Sequence, residues 1–547
     1  MVLRPRRAAL AAATVTTVLC ATAVTANAAV PTDTTELREA VTADAIMDHL
    51  AELQKIADNN GDTRASGTPG YDLSVDYVVG LLEAAGYEVT VQDFLFNSFQ
   101  ELSEPVFERV SPDPVVYVPN EDFITMEYSG SGDVTAPLQA VDLVLPPGPT
   151  ASTSNSGCEP EDFADFAAGN IALIQRGTCD FSVKAHNAFE AGAVGVIIFN
   201  EGQEGRTETL AGTLGFQFSD DLPVIGTSFE IGNELAALLE AGEVVIHLFT
   251  ETLIELDVPT QNVIAETPTG RDDRVIMAGA HLDSVPAGPG IQDNGSGSGA
   301  LLEVALQIAE LGIEPRNTIR FAWWGAEEAG LVGSQFYVDS LTKSELNDIE
   351  LYLNFDMIGS PNFVRFVYDG DGSAFGLKGP AGSRNIEDVF VDFFASQGLP
   401  SEPTAFDGRS DYDAFISAGI PAGGLFTGAE GAKTEEQAAV YGGLATFDDE
   451  SVSYDPCYHQ TCDSLDPIAD GADADLYMAL NEAYDGALEY LGTISNVNQL
   501  VLEQMADAVA HAILTFAMST GSVSGTAQAS EQAMVATGDR LGAHFKR

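Results

Sequence analysis

Apolar positions along the chain change spacing in three blocks. In the first, Ile46, Leu50, Leu53 and Ala57 recur at helical intervals, and SVDYVVGLLEAAGYEVTVQDF (residues 74–94) reads as helix, glycine turn and strand. From about Glu101 the texture shifts to short strands, Pro and Gly turns and a Ser/Gly-rich loop, PPGPTASTSNSG. Within that block NIALIQRGTCDFSVKAHNAFEAGAVGVIIFNE predicts strand, helix, strand, with Ile171, Leu173 and Ile174 as the buried set of the first strand. From about Leu253 the strands RVIMAGA, TIRFAWW and ELYLNFDM alternate with helical stretches such as ALLEVALQIAEL and NIEDVFVDFFASQG. Alternation of that kind implies crossover connections and a mainly parallel mixed sheet flanked by helices, an α/β fold.

The simplest organisation is one α/β domain interrupted by an insert: residues 29–105 and 253–519 form the main domain and 106–252 the insert. Residues 520–547, rich in Ser, Gly, Ala and Gln, read as a loosely ordered tail. At the other end, Arg4, Arg6 and Arg7 precede an apolar Ala/Val/Leu stretch and a small-residue site ending at Ala28. Residues 1–28 therefore read as a secretory signal. Leu19 before Cys20 is too bulky for a lipidation site, and no later run reaches the roughly 18 consecutive apolar residues of a membrane span. A secreted, extracellular protein is the expectation.

Cysteine usage fits export, since four cysteines remain after Cys20: Cys158, Cys179, Cys457 and Cys462. Sequence order suggests Cys158 with Cys179 and Cys457 with Cys462; there is no CxxC pair for a zinc–cysteine site. With 23 Lys plus Arg against 83 Asp plus Glu, the formal charge is −60. Nucleic acid and anionic membranes are thereby excluded as partners. An acidic coat keeps a protein soluble, and a monomer is expected.

Against this background the strand RVIMAGA ends in His281 and Asp283, with Asp293 in the glycine-rich loop that follows. Glu327 and Glu328 follow TIRFAWWGA, Asp356 follows ELYLNF, and His459 lies in DPCYHQTCD. Ligands of open α/β sheets collect beyond the carboxyl ends of strands. Two His with three carboxylates suit zinc. Five ligands exceed the needs of one catalytic zinc, so two metals with a bridging carboxylate are expected. Calcium on the acidic surface is a further cation candidate. His49, His186, His247, His511 and His544 read as packing or surface residues.

The order His281-x-Asp283, Asp293-Asn294-Gly295-Ser296-Gly297, Glu327-Glu328, Asp356-Met357 and Tyr458-His459 resembles the secreted bacterial co-catalytic di-zinc aminopeptidases, the leucine aminopeptidase and aminopeptidase Y type. The resemblance extends to NNGDTRASGTPGY (59–71) and FDGRSDYDAFISAGIPAGGLFTGAE (406–430), while LIQRGTCDF and AGAVGVIIFNE resemble the protease-associated domain. It implies His281 and Asp356 on one zinc, Glu328 and His459 on the other, and Asp293 between them. It further implies Glu327 as general base, Tyr458 at the oxyanion, Asp283 as the residue that orients His281, and a substrate amine bound near Arg409. Peptide or protein N-termini would be the substrates, with Met357, Ile358 and Phe426 as candidate walls for a large apolar first residue and Asp407, Asp411 and Asp413 as acids around it. A carboxypeptidase on the same scaffold and a receptor-like relative remain as alternatives, whereas the insert argues against a glutaminyl cyclase.

Overall fold

The computed structural model describes residues 32–521 and 523. The signal segment 1–28, His544 and all of the tail except Thr520, Gly521 and Val523 lie outside the described residues. Three helices open the described chain: α1 (Thr35–Ala40), α2 (Ala43–Asp58) and α3 (Pro69–Ala85). In α2 the Thr42 hydroxyl caps the Ala45 amide, and Ile46, Leu50, Leu53 and Ala57 form the buried stripe that their spacing predicts. Strand β1 (Glu88–Glu101) follows.

Residues 106–250 then build a second sheet, hereafter the inserted unit. It comprises β2 (Val106–Ser111), β3 (Val115–Val116), β4 (Phe123–Thr125), β5 (Gly132–Ala140), β6 (Ile171–Gln175), β7 (Gly195–Phe199), β8 (Val224–Thr227) and β9 (Val245–Thr250) in the order β3-β2-β9-β5-β6-β7-β8-β4. Helices α4 (Phe181–Glu190) and α5 (Phe229–Ala241) pack on it. All five residues of β6 are buried, so Ala172 and Gln175 join the expected set. The strand lies between two parallel neighbours with a core on each face: Ala172 and Ile174 share one with Phe163 and Val196, while Ile171 and Leu173 share the other with Phe107 and Leu235.

The chain returns through β10 (Thr252–Glu266), antiparallel to β1, and continues as β11 (Val275–His281), β12 (Thr318–Trp324), β13 (Ile349–Phe355), β14 (Phe366–Tyr368), β15 (Glu402–Thr404) and β16 (Ala422–Phe426). The sheet order is β1-β10-β12-β11-β13-β16-β14-β15. The pairs β11–β12, β11–β13, β13–β16 and β14–β15 are parallel, whereas β10–β12 and β14–β16 are antiparallel. Ile276, Ala278 and Ala280 face a core built with α2, α3 and the helix Gln499–Met518; Val275 and Met277 face another around Trp324, Tyr352 and Phe415. Burial on both faces explains why RVIMAGA reads as an unbroken apolar run. Helix Gln499–Met518 is long and apolar enough to cross a membrane by length and composition, but most of it is buried within the fold. It serves here as a core helix.

Candidate metal centre

Register places the chemistry. His281, the last residue of β11, pairs with Trp324 at the end of β12, and Gly279 pairs with Asn354 near the end of β13. The carboxyl ends of three central strands therefore lie side by side, and Glu327, Glu328 and Asp356 follow two of them within a few residues. After β11 the chain makes a wide turn, Ile291–Ser296, into α6 (Gly297–Glu310). Asn294 knits that turn to β13: its Nδ2 donates to the Phe355 carbonyl at 2.9 Å, and its Oδ1 accepts from the Gly297 and Met357 amides at 2.9 and 3.1 Å. A Cβ at Gly297 would collide with the Phe355 carbonyl oxygen and the Asn294 side chain, so glycine is required for this close approach.

At the centre, the two oxygens of Asp293 face different histidines. Oδ1 lies 3.2 Å from His281 Nε2, and Oδ2 lies 3.3 Å from His459 Nε2. Asp356 Oδ1 is 3.3 Å from His281 Nε2, and Glu328 Oε2 is 3.0 Å from His459 Nε2. Glu327 Oε2 stands farther off, 4.0 Å from His281 Nε2. Asp283 lies behind His281, whose Nδ1 is 3.1 Å from the Asp283 carbonyl oxygen and 3.6 Å from its carboxylate; that carboxylate also accepts the Glu327 amide at 3.3 Å. His459 and Tyr458 lie in the loop closed by the Cys457–Cys462 disulfide, with their rings stacked at 3.8 Å. The second disulfide joins Cys158 to Cys179 in the inserted unit.

Electrostatics show what the arrangement demands. Burial disfavours protonated His281, yet Glu327 and Asp356 outweigh it and hold its pKa well above the usual histidine range. His459 is raised to about 11, with Glu328 and Asp293 overcoming burial. Burial pushes the Glu327 and Glu328 carboxyls up. Asp356 Oδ1 and Glu328 Oε1 are buried without a hydrogen-bond partner. Buried acids left unsatisfied around two imidazoles are costly unless cations neutralise them. Nitrogen and oxygen donors in this combination fit zinc. The residues present thus suit a divalent metal.

The structure brings every metal-ligating candidate, together with Glu327, Asp283, Tyr458 and Arg409, to this one place. The acids of the 406–430 segment divide. Asp407 lines the pocket and Asp413 the wider cleft beyond it, but Asp411 is 1% exposed beneath the centre, where burial raises it to about 7. Ile358 does not line the pocket; it is fully buried in the main core. Met357 and Phe426 do, with Tyr368, Thr404 and Tyr412, around about 80 Å³ of space. Arg409 donates to Glu430 at 2.7 Å and to the Tyr458 hydroxyl oxygen at 3.2 Å.

Sequence reasoning passed over several supports. Asp463 accepts the Gln292 and Asp293 amides at 2.8 and 2.9 Å and is bound by Asn496 at 2.8 Å. Ser410 Oγ donates to Asp356 Oδ2 at 2.5 Å. Buried Arg64 donates to the carbonyls of Leu282, Pro289 and Gly290, bracing the loop after β11. The position of Asp463 directly after Cys462 and that of Ser410 beside Arg409 were the available signals. Among the described residues a further acidic group, Asp369, Asp371 and Glu387, lies apart from this centre. There the Asp369 carboxylate is occupied by the amides of Ser373, Ala374 and Phe375.

Comparison with known proteins places this geometry. The model of peptidase family M28 matches residues 262–482, and that of the PA domain matches residues 134–235. An aminopeptidase of Pseudomonas aeruginosa is 50% identical over 421 residues, 77% of this chain and 76% of that protein. Leucine aminopeptidase 2 of Arthroderma otae is 42% identical over 434 residues, 78% of this chain and 81% of that protein. The solved aminopeptidase from Aneurinibacillus sp. strain AM-1 shares the fold, with a TM-score of 0.60 at 24% identity, covering 88% of this chain and 95% of that one.

Proposed function

Since the chain belongs to peptidase family M28 and carries a PA domain, we propose that it is a zinc-dependent aminopeptidase with two metals, acting on peptides with a free N-terminus and an apolar first residue. The observation that carries this reading is the splayed Asp293 carboxylate, which offers one oxygen to the His281–Asp356 side and the other to the His459–Glu328 side. Those five residues would hold the pair, with Asp293 shared. Two zinc ions would supply Lewis acidity toward the scissile carbonyl and lower the pKa of the attacking water.

The chain's own residues do the rest. Glu327 is the acid left over once the ligands are assigned; buried at the pocket wall, it takes a proton from the water and passes it to the leaving nitrogen. Asp283 keeps the proton of His281 on Nδ1, directing Nε2 at the centre. Tyr458 accepts from Arg409, which leaves its own O–H free to donate a hydrogen bond to the developing oxyanion. Asp407 and Glu327 favour an ammonium over a carboxylate in the pocket. Arg409, the guanidinium among the lining residues, is engaged by Glu430 rather than offered to a substrate carboxylate, which argues against the carboxypeptidase alternative. Met357, Tyr368 and Phe426 form the apolar wall for the first side chain, consistent with the name of the Arthroderma relative. Two disulfides and the basic-then-apolar N-terminus favour export.

The test compares leucyl-p-nitroanilide with its N-acetylated form and with a C-terminally amidated leucyl peptide. Acetylation should lower kcat/KM by roughly 10²-fold or more, because it removes the cation that the acids pair with. Amidation should have little effect. Equal rates on acetylated and free substrate would overturn the assignment.

A further inference from the structure

Glu127 brings an acid of the inserted unit to the catalytic cleft. Its backbone is fixed on both sides: the N–H donates to the Gly212 carbonyl and the carbonyl accepts from Leu214 N, both at 2.9 Å. The next residue, Tyr128, takes a left-handed φ of 63°. Its hydroxyl donates to the Asn97 carbonyl at 3.2 Å, and its ring lies 5.8 Å from that of Phe99. Asn97 and Phe99 belong to β1, so Tyr128 ties this corner to the peptidase sheet. The backbone that carries the exposed Glu127 side chain is thereby held in place beside the peptidase sheet.

The cleft that Glu127 lines holds about 450 Å³ and shares Glu327, Glu328 and Tyr458 with the apolar pocket. It lacks that pocket's wall of Met357, Tyr368 and Phe426. If the first side chain occupies the apolar pocket, the residues beyond the scissile bond leave through this cleft. Acids outnumber basic groups there. Glu127, Asp407 and Asp413 line it, and its guanidinium, Arg409, is held by Glu430 at 2.7 Å.

We propose that Glu127 is a specificity residue for the leaving side of the scissile bond, favouring Lys or Arg and disfavouring Asp or Glu as the second residue of the peptide. This rests on the aminopeptidase reading. The attraction is that of opposite charges in a half-enclosed cleft, and the like-charge case supplies discrimination in the other direction. Salt should weaken both.

The experiment measures kcat/KM at low ionic strength for Leu-Lys-Ala, Leu-Gln-Ala and Leu-Glu-Ala amides and for leucyl-p-nitroanilide, with wild type, Glu127→Gln and Glu127→Lys. The wild type should prefer Lys over Glu by roughly tenfold or more; E127Q should cut that ratio about threefold, and E127K should reverse the order. Leucyl-p-nitroanilide, with no second side chain, should change less than about twofold across the series. A Lys/Glu ratio that E127Q leaves unchanged, or an equal loss on all substrates, overturns the proposal. Failure of the wild type to cleave leucyl-p-nitroanilide would instead overturn the aminopeptidase reading.

Discussion

Acids of the two units have opposite circumstances. In the inserted unit Glu201 is 1% exposed and fully satisfied: its carboxylate accepts the amides of Ser152, Thr153 and Ser154 at 2.7, 2.7 and 3.0 Å and the Arg206 guanidinium at 3.0 Å. Burial pushes its pKa up, but those bonds prevail and hold it below the usual range. In the peptidase unit Asp356 is buried and Glu328 half-buried, yet each keeps a buried oxygen without a hydrogen-bond partner. The first acid completes a loop. The others face the two imidazoles of the centre, Asp356 beside His281 and Glu328 beside His459, as ligands of a metal pair would.

Removing an acid should therefore have different consequences on the two sides. Asp293→Ala deletes the carboxylate that faces both histidines; leucyl-p-nitroanilide turnover should fall by roughly 10³-fold or more, with loss of bound zinc on elemental analysis. Retained zinc would move the bridging role elsewhere. Glu327→Gln should keep the metal while lowering kcat by about 10²- to 10⁴-fold. Zinc loss in that variant, with Glu328→Gln sparing it, would reverse the two roles.

The strand-end chemistry was legible because β11, β12 and β13 announce themselves as mainly apolar runs, so His281, Glu327 and Asp356 stand out at their ends. Helical spacing likewise exposed α2. What remained hidden depends on contacts distant in sequence. Ile358 adjoins the candidate wall residue Met357, yet turns into the core, and Met357 itself has a φ of 53°. Asp411 shares a loop with Asp407 but is buried beneath the centre. Asp463 supports Asp293 from 170 residues away. Periodicity reports a local face and carries no information on such encounters.

On the satisfied side, Glu201→Gln should leave turnover per folded molecule within about twofold of wild type while destabilising the protein by roughly 2–3 kcal/mol, read from denaturant unfolding of the inserted unit. A catalytic loss as large as that of Glu327→Gln would erase the distinction between Glu201 and the acids of the centre.

The smallest effect concerns a histidine outside the centre. His511 bonds Thr34 at 2.9 Å and stacks on Phe393; burial, aided by the charge of Arg38, lowers its pKa from 6.5 to about 4. Between those values the unfolded chain binds more protons than the folded one, so stability rises with pH there and is lost as pH falls below about 6.5. His511→Gln should flatten this acid limb by on the order of 1 kcal/mol, after allowance for solvent screening. An unchanged limb would assign acid sensitivity to other groups.

The central claim, that buried acids without partners mark a two-metal peptidase centre, is tested most directly by metal content and activity on one sample of purified protein. The account predicts about two zinc ions per chain, loss of leucyl-p-nitroanilide hydrolysis when a chelator removes them, and recovery when zinc is restored. Full activity in protein holding less than roughly half an equivalent of any divalent metal would contradict it.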